Sequence, residues 1–344
     1  VTTETTETTV RWGILATGKI AHVFARDLAV TPGAELVAVG SRRAESAEAF
    51  AAEFGGRAHG SYEDLVADPE VDVVYIATPH AFHLQNARLA FAAGKHVLCE
   101  KPLTLSTDEA EEMVRLASEH DRFLMEAMWS ACHPTIGALR RRLAAGEFGT
   151  PRHFHAELGF LVDAEPGDRM VDPALGASAL LDMGVYPLTV AHLLFGPAEA
   201  LHAVGDTQSA PGGTFDRDVA VVGRYPGGVL ATMTASITSW SSRAAAIATD
   251  RGRIDLDDFH HPTRAVFTPQ QPIADWTAEN AGVEPVEIEP DGPLIGRGYG
   301  NEIAEVGRCL RAGLRESPLV PHEQTLTLLR QMDDVRRQVG VTFG

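Results

Sequence analysis

From Val10 to about Met125 short apolar runs alternate with helical patterns, and no other feature of the 344-residue chain restricts its fold as strongly. Val10–Leu15, Glu35–Val39, Val71–Ala77, His96–Cys99 and Phe123–Met125 read as strands. Between them, Lys19–Val30, Ala44–Phe54, Ala81–Ala93 and Ser106–His120 read as helices, and Ser61-Tyr62-Glu63-Asp64 forms a capping box that opens a further short one. Repetition of this kind folds as a parallel, doubly wound sheet, because each crossover returns the chain in the same direction. Ligands of such sheets bind beyond the carboxyl ends of the strands. Candidate residues are therefore sought at those ends.

The first strand-to-helix turn runs Gly13-Ile14-Leu15-Ala16-Thr17-Gly18, with Lys19 and Ile20 opening the helix. Glycine in this turn lets backbone N–H groups approach a pyrophosphate at a helix N-terminus. Ala16 stands where a middle glycine is usual. The second strand ends in Gly40-Ser41-Arg42-Arg43. An acid at this tip would grip the ribose 2′-hydroxyl of NAD; two arginines and no acid suit the 2′-phosphate of NADP instead. NADP is the expected cofactor, with NAD as the alternative. Thr78, Pro79, His80 and His83 follow the central strand at the same sheet edge, where the nicotinamide end should pass. No third ligand with sensible spacing accompanies the two histidines, so no metal is expected. The fourth strand of this reading delivers Glu100-Lys101-Pro102. Pro102 ends the strand, and Lys101 is placed as a cation at the ligand-binding edge.

Beyond Glu126-Ala127-Met128-Trp129 the pattern changes. Pro134–Ala145 reads as a helix with Arg140, Arg141 and Arg142 on a solvated face, and long alternating segments after Pro151 read as antiparallel strands. In the clearest of them, Val229, Ala231, Met233, Ala235 and Ile237 line one face; Leu230, Thr232, Thr234, Ser236 and Thr238 line the other, small and weakly polar. Helical patterns close the chain at about Asn301–Ala312 and His322–Val339. Within this half lies Leu180-Leu181-Asp182-Met183-Gly184-Val185-Tyr186-Pro187. In a helix Asp182 and Tyr186 share a face, and Pro187 predicts a kink or break at Tyr186. Oxidation of an alcohol by hydride transfer needs a base for the hydroxyl proton and a positive group for the developing alkoxide. Lys101 and Tyr186 would suffice, since a lysine cation beside a phenol steadies the phenolate. Asp182 would orient the substrate hydroxyl or keep Lys101 charged.

Composition excludes several function classes. The formal net charge of −18 repels nucleic-acid backbones and anionic lipid, so neither nucleic acid nor membrane is an expected partner. No apolar stretch is read as long enough to span a bilayer. Cys99, Cys132 and Cys309 are scattered, without a CxxC pair, which fits a reducing cytoplasm. Val1–Thr9 has neither a basic start nor an apolar core and is expected to be a flexible tail rather than a signal peptide.

Taken together, these motifs resemble the glucose–fructose oxidoreductase, inositol dehydrogenase and rhizopine catabolism family (Gfo/Idh/MocA), over Arg11 to Phe343. The resemblance is carried by Arg11-Trp12-Gly13 through Ala21, Ala77-Thr78-Pro79-His80, Glu100-Lys101-Pro102, Met125–Trp129 and Leu180–Pro187. It is strongest to the branch of dimeric dihydrodiol dehydrogenases and NADP-dependent D-xylose dehydrogenases, which shares Glu126–Trp129 and the closing Gly340-Val341-Thr342-Phe343. It implies a Rossmann domain over residues 10–128 and, over 129–344, a substrate-binding α/β domain with a large, mostly antiparallel sheet. It also implies homodimers or higher oligomers through the open sheet face, Lys101 and Tyr186 as catalytic residues, Asp182 as the active-site aspartate and a cis Lys101-Pro102 bond. Ala177-Ser178 departs from a glycine pair often found in the family, so substrate size does not carry over. Trp129, His133 and Arg169 are weaker candidates for shaping the substrate cleft. The leading expectation is an NADP-dependent dehydrogenase of a sugar or other vicinal diol. A cyclitol or keto-sugar reductase of the same family and a non-catalytic dinucleotide sensor are the alternatives.

Overall fold

The computed structural model of the protein describes residues 8–165, 167–271 and 284–343. The expected tail therefore lies, over residues 1–7, outside the described residues. The chain forms two compact units: Val1–Cys132 with Leu294–Leu326, and His133–Pro293 with Thr327–Gly344.

The first unit begins with β1 (Val10–Leu15), α1 (Lys19–Leu28), β2 (Ala34–Gly40), α2 (Ala44–Phe54), β3 (Arg57–His59), α3 (Tyr62–Ala67) and β4 (Val73–Ile76). It continues through α4 (His83–Ala92), β5 (His96–Glu100), α5 (Thr107–Glu119) and β6 (Leu124–Ala127). All six strands are parallel, in the order β3-β2-β1-β4-β5-β6. The order reverses between β1 and β4, which opens a crevice at their carboxyl ends. Every residue of β4 is buried, as expected of a strand covered by helices on both faces. On one of those faces Phe24 of α1 stacks on Tyr75 at 3.7 Å between ring centroids. Ser61 and Ser106 cap α3 and α5 by accepting the N–H groups of Asp64 and Glu109. The sequence reading lacks β3. Its three residues, Arg-Ala-His, are polar and partly exposed at the sheet edge, and carry no apolar period.

The second unit contains α6 (Pro134–Ala144), β7 (Pro151–Gly159), a π-helical turn at Leu180–Gly184 and α7 (Val185–Phe195). Strands β8 (Ala200–Ala210), β9 (Gly213–Tyr225), β10 (Val229–Ser236), β11 (Ala245–Thr249), β12 (Gly252–Leu256), β13 (Ala265–Pro269) and β14 (Val286–Glu287) follow. Helix α8 (Tyr299–Arg311) lies in the first unit, while α9 (His322–Val339) and β15 (Thr342–Phe343) end the chain. The linear boundary at 128/129 thus misses a returning segment. Asp27, only 2% exposed on α1, accepts the backbone N–H groups of Arg297 and Gly300 at 2.8 and 3.2 Å, at the start of α8.

The nine-stranded sheet of the second unit is antiparallel except where β10 pairs with β7. Alternation along β10 is as read through Ala235, with Val229, Ala231, Met233 and Ala235 buried and Leu230, Thr232 and Thr234 exposed; Ser236, read on the open face, is buried instead. One expectation is corrected. Pro173–Phe195 is long and apolar enough to cross a membrane, but 78% of its most apolar window is buried, as in the core helix of a folded domain.

Candidate active site

In the first unit the turn after β1 builds a cradle from backbone. Gly18 precedes α1 in extended geometry, with no side-chain cap and no acid in the first helical turn. The first N–H groups of α1 therefore present the positive end of the helix to an anion. Ala16 holds φ at 84°, in the left-handed region that favours glycine. A cleft of about 630 Å³ is lined by Ala16, Thr17, Gly18, Ser41, Arg42 and Arg43, together with Ser46, Tyr62, Ala77 and Pro79. Arg42 and Tyr62 also line an adjoining cavity of about 370 Å³ with Thr78 and Asn86. The Tyr62 hydroxyl pairs with Arg42; burial nevertheless raises its pKa above the ordinary tyrosine value, with Arg42 opposing. Lys19 and Ile20 occupy the first turn of α1. Gly13 lies inside β1, where an added Cβ would meet Val71 at 3.0 Å and Leu65 at 3.3 Å. Its missing side chain admits these neighbours to the strand.

Lys101 follows β5, and its bond to Pro102 is cis, as the family resemblance implies. Buried acids and a histidine hold its backbone. The Glu100 carboxylate accepts the Tyr75 hydroxyl and, at 3.2 Å, the Lys101 N–H. Glu126 accepts the Leu103 N–H at 3.0 Å and the Thr325 hydroxyl at 2.8 Å. Burial raises the Glu126 pKa despite these bonds and the Lys101 charge. His83, fully buried, spans two loops: Nε2 lies 2.9 Å from the Thr78 carbonyl, and Nδ1 lies 3.1 Å from those of Pro102 and Leu103. It thus ties the loop after β4 to the one after β5. His80 is buried beside it, the rings 5.6 Å apart and nearly perpendicular. Trp129 stacks on Tyr299 of α8 at 5.1 Å.

In the second unit Asp182 lies in the π-helical turn and Tyr186 in the first turn of α7. The irregularity expected at Tyr186 is displaced one turn upstream. Pro187 has no N–H for the carbonyl a turn back, and the chain widens before it: the Val185 N–H reaches the Leu180 carbonyl, five residues away. Gly184 lets this wide turn lie against the sheet, since a Cβ there would meet Ala235 at 3.4 Å and Leu180 at 2.8 Å. Asp216 of β9, fully buried, anchors the turn by accepting the Ser178 hydroxyl at 2.6 Å and the Leu180 N–H at 2.7 Å. Burial raises its pKa, with those two bonds opposing. Arg169 lies 3.6 Å from Asp182. The Tyr186 ring meets His260 edge-on, 5.3 Å between centroids. His133 caps α6 by accepting the Thr135 N–H, and burial lowers its pKa to about 4.

The structure thus groups the cradle, the two arginines and the loop Thr78–His83 in one unit with Lys101, and Asp182, Tyr186 and Arg169 in the other. Four contributors escape the sequence reading. Tyr62 sits inside a motif read only as a helix cap. Asp216 acts on a turn 36 residues earlier. Asp258 and His260 occupy a loop without periodic pattern, although the vicinal pair His260-His261 could have drawn attention.

Comparison with known proteins accords with this geometry. Residues 10–128 match a family profile described as an oxidoreductase family with an NAD-binding Rossmann fold, and residues 136–255 match the C-terminal domain of the Gfo/Idh/MocA proteins. The chain is 36% identical to trans-1,2-dihydrobenzene-1,2-diol dehydrogenase of Mus musculus, over 97% of this chain and 98% of that protein. It is 34% identical to the NADP(+) D-xylose 1-dehydrogenase of Hypocrea jecorina, over 97% and 93%. Among solved structures, KijD10, a 3-ketoreductase from Actinomadura kijaniata in complex with NADP and TDP-benzene, superimposes with a TM-score of 0.81 at 25% identity, covering 96% of this chain and 98% of that one. An aldose-aldose oxidoreductase from Caulobacter crescentus shares the fold at a TM-score of 0.84 and 21% identity, with the same coverage.

Proposed function

The chain belongs to the Gfo/Idh/MocA oxidoreductase family, with its NAD-binding Rossmann fold, and from that premise we propose that it is an NADP-dependent dehydrogenase of sugars or other vicinal diols. It would interconvert a secondary or anomeric hydroxyl with a carbonyl or lactone. The observation that carries this reading is the end of β2, where Arg42 and Arg43 line the cleft beside the uncapped start of α1 with no acid in their place. Two guanidinium groups there suit a 2′-phosphate, and the first turn of α1 suits the pyrophosphate. The dehydrogenase of Hypocrea jecorina, named for NADP(+), supports the same preference.

When bound, NADP supplies or receives the hydride at its nicotinamide ring. The chain's own residues do the rest. Lys101, fixed by Glu100 and the anchored Leu103, holds a positive charge for the developing alkoxide. Tyr186 exchanges the hydroxyl proton, and Asp182 orients the hydroxyl. A keto-sugar reductase is the second reading, favoured by the likeness to the 3-ketoreductase. The cytoplasmic location, supported by the free thiols of Cys99, Cys132 and Cys309, belongs to the same proposal. So does assembly through the open sheet face, where Val204, Val222 and Leu230 are exposed on adjacent strands.

A spectrophotometric panel of aldoses, inositols and trans-dihydrodiols with NADP⁺ and NAD⁺, run beside equilibrium binding of both cofactors, tests this reading. We expect turnover with NADP⁺ and a preference for it of at least about tenfold. Tight cofactor binding without turnover of any substrate would favour a dinucleotide sensor. Equal affinity for the two cofactors would refute the role of the arginines.

A further inference from the structure

The parallel sheet of the first unit has a second rim. Its carboxyl ends carry the candidate cofactor cleft. At its amino ends, within the same unit, lies a separate cleft of about 680 Å³. Val10 opens β1, Asp72 immediately precedes β4, His96 opens β5 and Arg122 stands just before β6, and all four line this cleft. Arg311, the last residue of α8, adds a second guanidinium to the lining. Hydride transfer at the opposite rim uses none of these side chains.

The carboxylates around the cleft are already engaged. Asp72 accepts Nε and Nη2 of Arg11 at 3.0 and 2.6 Å, and Asp121 accepts Nε and Nη2 of Arg315 at 2.5 and 2.8 Å. Each acid thus has a guanidinium fork of its own. Arg122 has no such partner among the described residues. Its Nη1 donates to the Asp121 carbonyl at 3.0 Å, while its Nε is buried without a hydrogen bond. A buried donor left in this state calls for a partner. The guanidinium lies across Gly94, where an added Cβ would come within 3.5 Å of Nη2 and 3.7 Å of Nε. The edge turned to Gly94 is therefore the same Nε–Nη2 edge by which Arg11 and Arg315 grip their acids. His96 supplies a further donor. Its Nδ1 accepts the Phe123 N–H at 2.9 Å, so the neutral ring carries its proton on Nε2, and no described group accepts that proton. Burial first, then the charges of Arg122 and Arg315, push the His96 pKa down to about 4, which keeps the ring neutral and this tautomer in place near pH 7.

Helices α4, α5 and α8 end at or shortly before Gly94, Arg122 and Arg311, and cations there also offset the negative ends of helices. Capping alone would pair such a cation with carbonyls, as Lys95 pairs its ammonium with those of Asp68 and Val71 at 2.7 and 2.8 Å. The Nε–Nη2 edge of Arg122 pairs with none. We propose that this amino-end cleft binds a phosphate group, free or as the monoester of a small metabolite, through the Nε–Nη2 edge of Arg122 and the Nε2–H of His96, with Arg311 adding charge. One fork satisfies a planar carboxylate, whereas donors standing on separate elements suit the tetrahedral oxygens of phosphate. The cleft is larger than one phosphate and leaves room for the organic part of an ester.

Isothermal titration calorimetry with inorganic phosphate and with glycerol 3-phosphate tests the site. The protein is saturated with NADP⁺ at fixed ionic strength, so that neither probe enters the cofactor cleft. We expect saturable binding with a Kd of about 1 mM or lower. Arg122→Gln should weaken it at least about tenfold. His96→Gln, whose amide can both accept the Phe123 N–H and donate in place of Nε2, should stay within about threefold of native. The double change Arg42→Ala with Arg43→Ala, titrated without cofactor, should keep the binding, since those arginines line the opposite rim. Tighter binding of the ester assigns a phosphorylated metabolite, and equal binding assigns phosphate itself; both support the site. Absence of saturable binding of either probe to the native protein overturns the proposal. Binding that Arg122→Gln leaves unchanged, or that the double variant abolishes, overturns it equally. Should Arg122→Gln fold poorly, NMR of native protein labelled with ¹⁵N-histidine decides. Phosphate should shift the His96 Nε2 signal, identified by its loss in His96→Gln, and an unmoved signal overturns the site.

Discussion

In the first unit the cradle at the start of α1 is made of backbone, whereas in the second unit Asp182 and Tyr186 ride on or just after a turn anchored by the carboxylate of Asp216, and His260 is held by Asp258 two residues before it. The cradle needs only a strand end, a tight turn and an uncapped helix, all within Val10–Leu28. The π-helical turn needs Asp216 from another element, and His260 needs Asp258 and Arg243. The first construction tolerates a departure such as Ala16 at a cost of about 1 kcal/mol of backbone strain. The second fails when one buried partner is removed, since the groups it satisfied are left without one. Binding and chemistry should therefore break separately under mutation.

Lys101→Ala should cost the most, about a thousandfold or more in kcat, while NADP affinity measured by equilibrium titration stays near native. A parallel loss of NADP affinity would mean that the loop, and not the charge, had been broken. Asp216→Ala comes next. It strands the Ser178 hydroxyl and the Leu180 N–H in the core of the second unit, and should lower stability by about 3 kcal/mol in denaturant unfolding. Its NADP affinity should survive under native conditions; loss of that affinity would end the contrast drawn between the units. The double change Arg42→Ala with Arg43→Ala should weaken NADP by at least about tenfold, about 1.4 kcal/mol, and leave NAD nearly unaffected.

Glu302 should give the smallest effect. This α8 side chain is fully buried, and neither carboxyl oxygen has a hydrogen-bond partner among the described residues. Burial first, then the charges of Glu100 and Asp27, raise its pKa well above the ordinary value. Folding therefore takes up a proton. The stability this group allows is complete below about pH 4.3, the unfolded value, and is lost as pH rises toward its raised folded value. Glu302→Gln should flatten that decline, raising Tm at pH 8 by a few degrees, on the order of 1 kcal/mol, with the gap closing toward pH 4. A native Tm independent of Glu302 across this range would show that the group is neutralised in another way.

What could be read in advance follows the same division. The Rossmann strands were legible because a sheet covered on both faces demands near-continuous apolar runs, as in β4, and strand β10 because a half-buried strand alternates. Strand β3 was not legible, since three polar residues at an edge owe their pairing to β2. Pro187 announced an irregular helix, but its position depended on the fit of Gly184 against Ala235, a contact far apart in the chain. Lys101 was visible through Glu100-Lys101-Pro102. That Glu126 and His83 support its loop was not, because the bonds by which they hold it go to backbone atoms that leave no mark on residue type.

The return of α8 to the first unit bears on how this protein could be taken apart. Asp27 is closed over by the backbone of Gly296–Gly300, so tightly that a Cβ on Gly296 would lie 2.3 Å from its carboxylate. A gene fragment ending at Cys132 would encode the whole parallel sheet and still leave that carboxylate without its N–H partners. Exchange of the dinucleotide-binding half between relatives must therefore splice the chain at three junctions, near 132/133, 293/294 and 326/327, rather than at one.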